Sequence, residues 1–315
     1  MRLNLNQRGS TLCHALAAKA DSLRVEVTEG GGGTLIDLGV KARGGLEAGL
    51  ALAEICLAGL GRVGLVPADP AVWRGPAVTV HTDHPVAACL ASQYAGWQIT
   101  HGKFFAMGSG PMRAAAGKEA LFDQIGHREQ ADVAVGVLET GKLPSDEVCA
   151  DLARQCGVET ANLTLLAART ASQAGTVQIV ARSVETALHK LHELGFDLKR
   201  LESGWGVAPL PPPAADDLAG IGRTNDAILY GAEVTLWVRG DDASLEAIGP
   251  RVPSSSSSDH GEPFARIFER YDRDFYKIDP QLFSPAVVTL ANLDTGRSFR
   301  FGHVLPEVIE RSFTG

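Results

Sequence analysis

The sequence predicts an α+β (mixed α/β) fold in two domains, on three observations. The chain has 315 residues, 45% of them hydrophobic, enough to bury two cores. Runs that alternate apolar and polar residues are interleaved from end to end with runs of helical period. A proline-dense stretch, GVAPLPPPAADD, breaks both patterns in the second half.

Taken in order, NQRGSTLCHALAAKAD has apolar residues at helical spacing, and LRVEVTEGGGGTLIDLGV is two alternating runs around glycines, hence a hairpin. The glycine cluster lacks a GK[ST] ending and leads into a strand, which argues against a phosphate loop. Residues 45–60 read as a helix rich in Ala, Gly and Leu, suited to close packing between helices. PAVTVHTDHPVAACLASQYAGWQI then reads as strand, polar turn and helix, and TVQIVARSVETALHKLHELGFDL repeats that reading. An offset of 99 residues lays Val78 on Val177 and Asp83 on Arg182. This is either an internal duplication or the chance likeness of two strand-turn-helix units. The proline stretch is a connector. Beyond it GRTNDAILYGAEVTLWVRGDD reads as turn, short helix and strand, the serine-rich stretch as a polar loop and helix, and PAVVTLANLDTGRSFRFG as a terminal strand. The expected grouping joins residues 1–75 to 220–315 in a first α/β domain. Residues 76–207 form a second, carrying the strand-turn-helix units, and 208–219 connect them.

The formal net charge is −8 with Lys and Arg dispersed, so no nucleic-acid partner is expected. Five scattered cysteines without a CxxC pair read as reduced, buried thiols. The N-terminus has no apolar signal region, and the longest apolar helix is short and carries Glu47 and Glu54. A soluble, cytoplasmic protein with no membrane partner is expected.

Several segments could carry chemistry. In HTDHP, only two of His81, Asp83 and His84 can share a face of an extended strand, so a turn bonded to its own backbone is the better reading and no metal site is expected. In KFFAMGSGPMRA, Gly108, Ser109, Gly110 and Pro111 would let the backbone approach a flat ligand, with Lys103 and Arg113 on either side. An ordinary glycine loop with solvated charges reads equally well. The run Ser254, Ser255, Ser256, Ser257 and Ser258 is either a flexible linker or a ligand loop whose path Gly261 and Pro263 fix. In ARSVE, a Ser183 cap would account for Glu185 in the first helical turn, leaving Arg182 at the strand end without a structural reason.

Five strings, GGLEAGLALAEICLAGLG, FFAMGSGPMRA, ARSVETALHKLHELGFD, GRTNDAILYGAEV and PSSSSSDHGEPFARIFERYDRDFYKIDP, resemble the methenyl-tetrahydromethanopterin cyclohydrolases. The likeness runs from near residue 1 to beyond residue 300. It implies hydrolysis of the cyclic methenyl cation of a tetrahydropterin one-carbon carrier to its 5-formyl form. It also implies two α/β domains around an open cleft, a homotrimer, and no metal or organic cofactor. The family's catalytic arginine and glutamate fall on Arg182 and Glu185. Substrate-binding positions are then expected at Lys103, Ser109, Gly110, Pro111, Arg113, Arg223, Asn225, Asp226 and Ser254 to Ser258. The contrasting readings are a folate-type methenyl cyclohydrolase, which the lack of a nicotinamide-binding glycine fingerprint weakens, and a non-catalytic pterin-binding protein.

Overall fold

The computed structural model describes residues 3–30 and 32–315. The strands in chain order are β1 (Glu26–Gly30), β2 (Gly33–Gly39), β3 (Gly61–Pro67), β4 (Pro76–Thr82), β5 (Trp97–His101) and β6 (Phe104–Ser109). They continue as β7 (Ala134–Glu139), β8 (Leu163–Ala168), β9 (Leu201–Pro209), β10 (Glu233–Val238), β11 (Val287–Asn292) and β12 (Ser298–Gly302). The chain divides into two compact units, Met1–Gly61 with Ala87–Gln178, and Arg62–Val86 with Ile179–Gly315. This grouping differs from the expected one, because sheet pairing rather than sequence proximity sets it: β4 pairs with β9, and β2 with β8.

The first unit is built on a mixed sheet of order β1-β2-β8-β7-β6-β5, in which β2, β8 and β7 run parallel. The apolar runs AVGVLE and LTLLAA of β7 and β8 suit strands covered on both faces. Alternate residues serve opposite cores. Val135 and Val137 pack with Leu16, Leu52 and Ile55 of the helices Leu5–Ala17 and Leu46–Cys56, whereas Leu138, Leu163 and Leu165 pack with Val148 and Leu152 of the helix Asp146–Cys156. The expected β1–β2 hairpin is present, with Gly30 opposite Gly33; Gly31 lies outside the described residues. The small-residue helix packs as closely as its composition suggests. A Cβ on Gly49 would lie 2.7 Å from that of Val177.

The second unit holds a sheet of order β12-β11-β10-β9-β4-β3. The helices Ser183–Glu193, Asp217–Gly231 and Pro306–Thr314 belong to it. Three readings of this half are corrected. First, Gln178, Ile179 and Val180 are helical: one helix spans Gln173–Val180, and after a turn at Ala181 and Arg182 the next begins at Ser183. A short unbroken apolar run carries no period to distinguish strand from helix. The deciding signal lies upstream, where the Ser172 hydroxyl accepts the Gly175 N–H at 3.0 Å, a helix-start contact. The 99-residue offset therefore lays a strand on a helix, and the strand-turn-helix repeat does not hold.

Second, the proline stretch does not exclude a central strand, since β9 runs to Pro209 opposite Ala77. Its pairing with β10 stops at Val207, so the missing proline N–H leaves no ladder bond unmade on that side. Third, the terminal strand is a hairpin, β11–β12, and the short helix after the connector has 15 residues. That helix starts at an Asp216 cap, whose Oδ1 accepts the Ala219 N–H at 2.9 Å.

Candidate active site

Arg182 and Glu185 are positioned by the junction of two helices rather than by a strand end. Arg182 is the residue preceding the helix Ser183–Glu193, and its carbonyl accepts the Thr186 N–H at 2.9 Å. Glu185 follows in the first turn, where the helix dipole favours a carboxylate. Its Oε2 lies 3.7 Å from Arg182 Nη1, and the two residues are only 4% and 7% exposed. At that distance the charges attract strongly in a low dielectric without a direct hydrogen bond between them. Among the described residues the Ser183 hydroxyl has no hydrogen-bond partner, so it does not cap the helix. It is instead buried against β9, where a Cβ on Gly206 would lie 2.4 Å from the Ser183 Oγ, and one on Gly204 would lie 2.7 Å from Val184 Cγ1. The two glycines let the start of the helix settle on the sheet, which fixes the height of the ion pair.

The same helix carries a residue that sequence reasoning missed. Lys190 is 1% exposed, and its Nζ donates to Ser256 Oγ at 3.1 Å and to the Gln281 carbonyl. Burial lowers its pKa to about 8, with the Arg251 charge acting in the same sense and Asp279 opposing both. Its position, three residues after Ala187 and seven after Ser183 on a buried helical face, was a readable signal.

The serine run is ordered. Ser254 Oγ donates to the Leu229 carbonyl at 2.5 Å, Ser257 Oγ to Asp279 Oδ2 at 2.7 Å, and Ser256 accepts from Lys190. Ser255 is half-buried and Ser258 exposed, and among the described residues their hydroxyls make no such bond. The structure thus brings the serine run and the helix of Arg182 and Glu185 together within one unit.

Other expected binding residues prove to be engaged in the fold. Arg113 is fully buried in the first unit: Nε and Nη2 grip Glu119 at 2.9 and 2.6 Å, and Nη1 donates to the Leu90 carbonyl at 2.7 Å. The rings of Tyr94 and Phe122 flank its guanidinium. The Arg113 side chain, expected beside a ligand, is thus held by the fold's own groups. Ser109 is likewise buried at the end of β6, with Oγ 3.3 Å from Cys56 Sγ. Gly110 has φ +88° and donates its N–H to the Ser92 carbonyl, so glycine is needed there for the turn. The Pro111 carbonyl accepts from Asn6 Nδ2 at 3.0 Å. Lys103 is exposed in the β5–β6 turn.

In the second unit the Arg223 guanidinium is spent on main-chain oxygens of Ser312, Pro212, Pro213 and Gly315, at 3.0 to 3.4 Å. It ties the connector to the last helix. Asn225 Nδ2 donates to Ile221, one turn back in its own helix. Asp226 is fully buried, and Oδ1 accepts the Phe264 N–H at 2.7 Å. Burial raises its pKa to about 7 against the Ser312 hydroxyl, the Phe264 amide and the Arg311 charge.

At HTDHP the Thr82 hydroxyl accepts the His84 N–H at 3.0 Å, and Asp83 accepts from the Ser203 hydroxyl. Among the described residues no group of three or more His, Cys, Asp or Glu side chains is placed to hold a metal ion. An open hollow of about 400 Å³ here is lined by Asp83, Trp205 and Trp237. Trp205 alternates along β9 with Gly204 and Gly206, so the hollow lies on the opposite sheet face from the ion pair.

A model of the family described as cyclohydrolase (MCH) matches residues 4–313. The chain is 52% identical over 287 residues to the methenyltetrahydromethanopterin cyclohydrolase of Rhodopirellula baltica, covering 90% of this chain and 86% of that one. It is 48% identical to the protein of that name from Methylobacillus flagellatus, covering 98% and 95%, and 41% identical to that of Methanosarcina barkeri, covering 99% and 98%. Among the described residues no helix is long and apolar enough to cross a membrane.

Proposed function

The chain belongs to the cyclohydrolase (MCH) family, and from that we propose that it hydrolyses the methenyl-tetrahydromethanopterin cation to 5-formyl-tetrahydromethanopterin in one-carbon metabolism. The observation that supports this reading best is the buried Arg182–Glu185 pair. The substrate carbon lies between two nitrogens sharing one positive charge and is already electrophilic, so the reaction calls for a positioned water and a base. Glu185, ionised, takes a proton from water as its oxygen adds to that carbon, and its charge offsets the cation. The bond to one nitrogen then breaks and leaves the formyl group on the other. One proton of the water ends on the leaving nitrogen, and the second is released to solvent. Arg182 keeps the carboxylate ionised and fixes its direction. No step needs a metal or an organic cofactor.

Ser255 and Ser258, the serines whose hydroxyls the fold does not consume, contact the substrate from the serine run, and the active protein is a cytoplasmic homotrimer. Light scattering reporting about three chains supports that assembly, and a stable active monomer overturns it. The central test is turnover of the purified methenyl derivatives of tetrahydromethanopterin and tetrahydrofolate, following loss of the methenyl chromophore. Turnover of the methanopterin derivative is expected. Turnover of the folate derivative alone, or of neither, overturns the proposal.

A further inference from the structure

We propose that Lys190 is a positioning residue for the substrate, strapping the serine run to the helix whose first turn carries Glu185. This rests on the reading that Ser255 and Ser258 contact substrate. One helix of 11 residues carries Glu185 at one end and Lys190 near the other. From Lys190 the bonds run to Ser256 in the serine run and to Gln281 in the turn Pro280–Leu282. That turn is itself joined to the serine run, because Asp279 accepts both the Ser257 hydroxyl and the Gln281 N–H. Lys190 therefore holds two points of a closed circuit; Ser254 is tied separately to Leu229, and Ser255 and Ser258 are the serines of the run whose hydroxyls stay uncommitted.

The lysine is costly where it stands. An ammonium group in a buried position loses its hydration, and burial lowers its pKa to about 8 despite Asp279 nearby. An apolar residue of the same length would fill the space without that cost. Lysine is thus a poor choice for stability alone and a good one for holding a polar loop in a single position.

The test is Lys190→Met, which keeps the length and apolar stem but removes the donors. Three results are expected: thermal stability held or raised, faster hydrogen exchange at the Ser256 and Ser257 amides, and a KM for methenyl-tetrahydromethanopterin raised about tenfold. The turnover number should change little. A purely structural lysine predicts the reverse, a loss of stability with KM unchanged. Unchanged exchange, or faster exchange with an unchanged KM, overturns the proposal. A Ser255→Ala, Ser258→Ala double variant separates this from the underlying reading. If its KM is normal, the serine run is not in the site at all. If its KM rises while that of Lys190→Met stays normal, only the strap fails.

Discussion

The Arg182 guanidinium and the Glu185 carboxylate stand 3.7 Å apart across the first turn of one helix, both almost wholly buried. Glu185→Gln keeps the shape and removes the basicity, so turnover should fall on the order of 100- to 10,000-fold with KM little changed. Arg182→Gln should also slow turnover, but adding it to Glu185→Gln should cost little more, because the two act as one unit. Steady-state kinetics of the three variants decide this. Near-normal turnover in Glu185→Gln would remove the residue from the mechanism.

Glu119→Ala should damage stability and spare catalysis. It strands the Arg113 guanidinium, which is fully buried and left with main-chain carbonyls and aromatic rings. Breaking a buried pair from one side costs about 3–5 kcal/mol. Arg113→Met should cost less, since Glu119 keeps 23% exposure and can reach water. Denaturant unfolding gives the order of the two losses, and KM per folded molecule should stay normal in both. A raised KM in a folded Arg113→Met protein would return Arg113 to the substrate.

Asp226 ties stability to pH. When folded it holds its proton up to about pH 7, against an ordinary value of 3.8 for the unfolded chain. Between these values the native state binds a proton that the unfolded chain has released, so stability falls as pH rises through the window. Asp226→Asn should flatten that decline. Unfolding measured from pH 5 to pH 8 should show the wild type losing more than the variant, and parallel curves would mean that Asp226 is ionised in the native state.

Prolonged chelation should leave the rate unchanged, because the amidinium carbon of the substrate already bears the charge that a Lewis acid would otherwise induce. Activity lost on chelation and restored by one particular divalent ion would contradict this.

Sequence reasoning reached the mixed class, the first hairpin and the small-residue helix, because each rests on local chemistry: alternation, glycine placement or small side chains. It could not reach what depends on distant partners. Nothing near Arg113 in sequence reveals that Leu90 and Tyr94 close around its guanidinium, and nothing near Arg223 announces Gly315. QIVA looked like a strand because three successive apolar residues fit either period, while the Ser172 cap that settles the matter lies upstream of the run. The serine run was undecided for the same reason, since its order comes from Lys190, Leu229 and Asp279, which lie far from it in sequence.

The division of the chain also bears on how it is made. Residues 62–86 belong to the second unit, yet they leave the ribosome well before the rest of it. Once β4 has been synthesised, its edge of Val78 and Val80 awaits β9, and the whole stretch from Ala87 to Gln178 emerges in between. A nascent chain of that length can complete the first unit while displaying β4 with a neighbour, β3, on one side only, and such an open apolar edge recruits chaperones or invites association between neighbouring nascent chains. The expression yield of this protein should therefore be governed by the β4 edge, and slowing translation across residues 87–200 should lower it.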